Sequence, residues 1–143
     1  MWRPSDISEI ESVIAKGGNW IILIKSSTNV LKGDNFVFVY PELLQNKIIV
    51  TRGEIITSEI LEKNDLNYKN INLKIKTLLR KTRDEIKLRG SIVNEITTRG
   101  DFVKKITNSL KINSNIKYRL EVVSTKDSKT SESIVVDLNI TKL

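Results

Sequence analysis

Two segments near the end of the chain alternate apolar and polar side chains with a period of two, and nothing else in the sequence narrows the fold as much. Ile116, Tyr118, Leu120 and Val122 are interleaved with Lys117, Arg119 and Glu121. Ile134, Val136, Leu138 and Ile140 are interleaved with Val135, Asp137 and Asn139. Successive side chains on a strand point to opposite faces, so each segment reads as a strand with one apolar face. The polar stretch Thr125-Lys126-Asp127-Ser128-Lys129-Thr130 between them reads as a hairpin tip. An isolated hairpin is marginal in water, so its apolar face must pack on other elements.

The helical elements supply that cover. Ile75, Leu78, Leu79 and Ile86 recur at helical spacing and predict a helix from about Ile71 to about Arg83. Its other face carries Lys74, Lys76, Arg80, Lys81 and Arg83. Asn67 to Asn72 reads as a polar loop. Gly90 and Gly100 interrupt the helical pattern. A further helix runs through Phe102, Val103, Ile106 and Leu110, with Asp101 as its N-cap. Glu54 to Lys69 reads as ambiguous: Ile55-Ile56 suit a strand, whereas Ser58 to Glu62 suit a helical turn.

The N-terminal third has its own pattern. Ile7, Ile10 and Ile14 predict a helix over Asp6–Lys16, opened by the pair Asp6 and Glu9 and closed by Gly17-Gly18. Trp20–Ile24, Phe36–Tyr40 and Lys47–Val50 predict three short strands, the second stopped by Pro41 and the third near Gly53. The fold class expected is therefore α+β. An N-terminal helix and small sheet over 1–53 precede a basic portion over 54–143, in which helices pack on a C-terminal hairpin. The two portions are compatible with one compact domain.

With 39% hydrophobic and 29% charged residues in 143, the chain can bury a core. It has no cysteine and no histidine. Disulfides, thiol nucleophiles, Cys/His zinc sites and imidazole acid–base chemistry are thereby excluded. The absence of Cys suits a reducing cytoplasm; it also fits a thermophilic archaeal or viral source, against which the many Asn argue, and an A/T-rich genome explains the abundance of Ile, Lys and Asn. No apolar run approaches a membrane span, and no apolar stretch behind Met1-Trp2-Arg3 marks a signal peptide. Asp34, Glu42 and Glu54 are the nearest candidates for ligands of a nuclease metal, but the Glu-x-Lys that such chemistry needs is missing from Lys47–Thr51. Catalysis is not expected, and no cofactor is expected.

Charge carries the functional reading. Residues 1–70 hold eight Lys/Arg against nine Asp/Glu, whereas 71–143 hold sixteen against eight. Such asymmetry points to a polyanionic partner for the basic half. The residues expected to contact phosphates are Arg80, Lys81, Arg83, Lys87, Arg89, Arg99, Lys104, Lys105, Lys126 and Lys129. The partner expected is DNA or RNA, bound through its backbone with little base readout, and a homodimer would double the charged footprint. The alternative is an interaction module that docks an acidic protein or pairs through the hairpin edge.

Two architectures fit the basic half. One is a winged helix, with helices at about 71–88, 91–98 and 101–111. Ile92–Thr98 and Asp101–Leu110 would then form a helix-turn-helix, with Lys104, Lys105 and Lys111 facing DNA. The other follows from a resemblance. Ile86-Lys87-Leu88-Arg89-Gly90, followed by Val93, Ile96, Phe102 and Val103, resembles the strand–Arg-Gly–helix signature of the Alba family of chromatin and RNA-binding proteins. The closing hairpin is similar to that family's last two strands. The resemblance covers about residues 55–143. It implies a βαβαββ fold, a dimer, and backbone contacts from Arg89, Lys126 and Lys129.

Overall fold

The computed structural model describes residues 4–26, 32–33, 38–110 and 114–143, with the side chains of residues 4–6 and of Phe102 outside that description. The fold is α+β. The chain divides into two compact units, Met1–Lys47 and Ile48–Leu143.

The first unit contains α1 (Pro4–Ala15) and the strands β1 (Trp20–Ser26) and β2 (Val39–Gln45). The helix begins at a proline, whose missing N–H costs nothing in a first turn. It ends as expected at Gly17-Gly18, both at positive φ (89° and 108°). That reversal brings Trp20 back so that its indole N–H donates to the Gly17 carbonyl at 3.0 Å. A Cβ on Gly18 would lie 3.0 Å from that same indole nitrogen, so the position requires glycine on two counts. β1 and β2 pair antiparallel in full register, from Trp20 opposite Gln45 to Ser26 opposite Val39. The second strand therefore runs through Pro41, which was expected to stop it. Pro is tolerated because this two-stranded sheet has only edges, where one missing N–H breaks no interior ladder. Asp34, Phe36, Val37 and the Asp6 side chain lie outside the described residues.

The second unit contains β3 (Ile48–Val50), β4 (Ile55–Leu61), a 3-10 turn (Lys63–Asp65), α2 (Tyr68–Leu88), β5 (Ile96–Thr98), α3 (Phe102–Ser109), β6 (Tyr118–Ser124), β7 (Ser128–Lys129) and β8 (Ile134–Lys142). Four strands form a sheet in the order β4-β6-β8-β5. β6 is antiparallel to both β4 and β8, and β5 is parallel to β8. The closing hairpin is as its alternation predicts: Val122 stands opposite Leu138 and Leu120 opposite Ile140. β3 does not join the first unit's strands. It pairs with β7 at the hairpin tip, Ile48 opposite Lys129.

One core serves this unit. Ile71, Ile75, Leu78 and Ile86 of α2 pack with Leu120 and Val122 of β6, Ile134 and Val136 of β8, and Ile106 of α3. Each such side chain taken fully from water contributes about 1.5–3 kcal/mol. Thr82 lies on the same stripe of α2 and is buried. Its hydroxyl hydrogen bonds to the Leu78 carbonyl at 2.8 Å and shares a 2.5 Å contact with Thr57 on β4. Tyr118 is buried in the core, as its place between Ile116 and Leu120 suggests.

Several boundaries differ from the sequence reading. Asn67–Asn72 is not a loop: the Asn67 side chain accepts from the Asn70 N–H at 2.9 Å and caps a helix of 21 residues. Ser58–Glu62 is not a helical turn, since β4 runs to Leu61 alongside β6. The expected helix over Ile92–Thr98 is absent. Ile96–Thr98 is instead a strand beside Ile134–Val136. Its two threonines and isoleucine are β-branched, and pairing with β8 outweighs the helical spacing. The helix-turn-helix is therefore not formed. Ile86–Leu88 is the end of α2 rather than a strand, with Arg89 as C-cap and Gly90 at φ 101°. A strand, then Arg-Gly, then a helix does occur, ten residues later, as β5, Arg99-Gly100 and α3. Asp101 caps α3 as expected, its carboxylate accepting from the Lys104 N–H at 3.1 Å.

Candidate nucleic-acid interface

The extension of α2 back to Tyr68 reveals a line of charge. Lys69, Lys76, Arg80, Arg83 and Lys87 recur at intervals of three, four and seven, and all five are exposed. At about 100° per residue they fall within a narrow arc, and their span of eighteen residues is about 27 Å. The stripe lies roughly opposite Ile71, Ile75, Leu78 and Ile86, whose burial fixes the rotation of the helix. Among the described residues, no carboxylate forms an ion pair with any of the five. The stripe thus keeps most of its positive charge, tempered at one end by Asp84, four residues after Arg80 and three before Lys87, and a polyanion would relieve the remaining repulsion.

The remaining cations of α2 are engaged. Glu59 on β4 receives Lys81 Nζ at 2.9 Å and Lys74 Nζ at 3.4 Å. The Lys81 hydrogen bond holds the Glu59 carboxyl below its ordinary value of 4.5, against the opposing effect of burial. Arg89 was expected on the nucleic acid, but the structure turns it inward. Its guanidinium bonds Glu54 at 2.5 Å, Glu85 at 3.1 Å and the Ile49 carbonyl at 3.1 Å, with only 27% of the side chain exposed. Burial would lower the Arg89 pKa, but Glu54 and Glu85 outweigh it and raise it. Burial likewise pushes Glu54 up, yet the Thr51 N–H and Arg89 bring its carboxyl below 4.5. Arg89 thus ties the end of α2 to β3 and to the start of β4.

These two carboxylates predict an acid limb. Both bind protons less readily folded than unfolded, so their stabilising effect is complete above about pH 4.5 and is lost as pH falls through their lower folded values. Replacing Glu59 by Gln should leave less stability to lose between about pH 5 and 3, by up to about 1 kcal/mol because the pair is partly solvated. Urea midpoints of both proteins at each pH measure this; identical pH dependence would contradict the assignment.

The hairpin tip shares an end of the unit with the close of α2. Arg89 reaches β3, β3 pairs with β7, and the Ile92 N–H donates to the Thr130 carbonyl at 3.2 Å. Lys126 is exposed there, and the next residue, Asp127, accepts the Arg52 N–H at 2.7 Å. Lys129 is half-buried in β7, its backbone N–H donating to the Glu132 carboxylate. Lys87 and Lys126 are thus the exposed cations at this end among those expected from sequence. Arg99 and Lys104 are exposed at the start of α3. Lys105, on the same helix, lies 3.7 Å from Asp137 of β8 and is largely exposed. Lys111 lies outside the described residues.

The sequence reading left Lys69 and Lys76 out of the contact set. Lys76 lies on the polar face already read for that helix, and a helical wheel adds Lys69 once the helix is carried back to its Asn67 cap. The edge considered for strand pairing is partly taken: β4 lines β6, and β5 lines β8 over Ile134–Val136. Of the carboxylates weighed for a metal, Glu42 pairs with Lys25 and Glu54 with Arg89. Among the described residues no group of three or more acidic, His or Cys side chains could hold a metal ion, and no helix is long and apolar enough to cross a membrane. No family model, curated protein or solved structure matches the chain.

Proposed function

We propose that residues 48–143 bind nucleic acid through its phosphate backbone, with the exposed face of α2 as the principal contact. The observation that carries this reading is the stripe Lys69, Lys76, Arg80, Arg83 and Lys87, whose cations have no acidic partner among the described residues. Lysine and arginine on a straight helix meet phosphates and release the counterions condensed on them, a sequence-independent source of affinity. The only aromatic side chain of α2, Tyr68, sits about 100° around the helix from Lys69, so the stripe offers no stacking platform. Duplex DNA or RNA suits it better than a single strand. Lys126 at the hairpin tip extends the contact beyond Lys87. The β-α-β-α-β-β order of 55–142, with the two-residue β7 set in the last connection, is the order the Alba resemblance implies and also supports the reading. Arg89, bound internally, has no part in it. A cysteine-free chain suits a reducing compartment.

Fluorescence anisotropy with short duplex DNA, duplex RNA and single-stranded DNA, across a salt series, tests the proposal. Duplex binding with a steep negative slope of log K on log salt is expected. A flat slope, or no binding at about 50 mM salt where phosphate contacts are strongest, would overturn it. The same stripe would then belong to an acidic protein partner.

A further inference from the structure

The first unit poses a different problem, that of unfinished burial. Among its described residues not one is buried, and every buried apolar side chain among the described residues lies at Ile49 or beyond. Yet its hairpin is rich in apolar residues, and the register sorts them. Directly opposed residues share a face. One face holds Ile21, Leu23, Tyr40 and Leu44 together with the ion pair Lys25–Glu42. The other holds Trp20, Ile22, Ile24 and Ser26 from β1, and Val39, Pro41, Leu43 and Gln45 from β2. That second face carries no charged residue. Ile22 and Ile24 at its centre are 44% and 63% exposed.

A two-stranded hairpin does not hold such a face against water unaided. The charge of the unit indicates what can cover it. Residues 1–47 contain five Lys/Arg and five Asp/Glu, a net charge of zero, whereas 48–143 carry the whole +7. An acidic or basic partner finds no complementary charge on this face. An anionic membrane is disfavoured as well, because the polar side of α1 carries Glu9 and Glu11 rather than a row of lysines. A second copy meets both requirements. It presents an identical uncharged apolar face, and the neutral unit approaches its own copy without the repulsion that the basic unit would meet.

We propose that the uncharged face of the β1–β2 hairpin is a self-association surface, packing on the same face of a second copy in an isologous dimer. The inference is independent of the nucleic-acid reading. A seven-residue strand is about 23 Å long, so the patch is small and the dimer should dissociate in the micromolar range.

Sedimentation velocity on the nuclease-treated full chain, from about 1 to 100 μM, spans that dissociation. The wild type should shift from the mass of one chain to that of two, and the shift should persist in about 0.5 M salt, where surface ion pairs are screened. Ile22→Glu with Ile24→Glu should hold the protein at one chain's mass over the same range. Its circular dichroism and urea unfolding should stay close to wild type, because the core lies in the other unit. Ile24→Ser is a milder second variant with the same expected direction, and Lys25→Ala, on the opposite face, should dimerise like wild type. A monomeric wild type at every concentration overturns the proposal. Glutamate variants that dimerise unchanged, or a wild-type dimer that salt dissolves, overturn it equally.

Discussion

Replacing Lys76, Arg80, Arg83 and Lys87 together by Gln should abolish duplex binding at physiological salt while leaving the fold intact. All four are exposed, and none forms an ion pair with a carboxylate among the described residues, so neutralising them removes only the weak attraction of Asp84 for Arg80 and Lys87. Each cation that neutralises a phosphate contributes about 0.9 to the slope of log K on log salt. Losing four should flatten that slope by about 3.6 and lower affinity on the order of 10³-fold near 0.1 M salt. The comparison variant is Lys74→Gln with Lys81→Gln, which removes the partners of Glu59 instead. It should cost some stability and little affinity. If the quadruple variant binds as tightly as wild type, or if both variants lose affinity alike, the stripe is not the contact surface.

The second large effect concerns stability. Leu120→Ala should destabilise the protein by about 2–5 kcal/mol, because Leu120 is fully buried on β6, between β4 and β8. That is a large share of the roughly 5–15 kcal/mol that holds a domain folded. Ile60→Ala on the adjacent β4 should cost much less, since its side chain is 43% exposed. Urea midpoints with unchanged m-values read both effects. Equal costs at the two positions would mean that the assignment of the sheet's faces is wrong.

What could be read directly from the sequence was whatever a single element decides for itself. The period-two alternation of Tyr118–Val122 and Ile134–Leu138 fixed the hairpin and its buried face. The helical recurrence of Ile75, Leu78 and Ile86 fixed α2 and the side it buries. Asp101 is a cap because the amide it serves is three residues away. What remained hidden depends on distant partners. Ile96–Thr98 becomes a strand only because Ile134–Val136 lies beside it. β3 joins the second unit because its partner is at the hairpin tip, not in the preceding strands. Arg89 illustrates the same limit for the candidate site. Its neighbour Glu85 is one helical turn away and could have been suspected, but Glu54 and the Ile49 carbonyl are thirty-five and forty residues distant. A charge count treats all arginines alike and cannot separate one that ties the fold together from those that face outward. Lys69 was missed for a local reason: Asn67-Tyr68-Lys69-Asn70 resembles a loop in composition, and only the Asn67 side-chain bond to Asn70 shows that a helix begins there.

The strand order has a consequence for how the protein is made. β6 and β8, the two interior strands, are made after their neighbours β4 and β5. Until residues 118–142 leave the ribosome, β4 has no strand to pair with and the apolar side of α2 has no sheet to cover it. Much of the pairing joins residues about sixty apart or more, such as Ile55 with Val123 and Ile48 with Lys129. Chain closure over such distances slows folding. The second unit therefore cannot complete its sheet until β8 has been made, and removing β8 takes away the middle of the sheet rather than an edge.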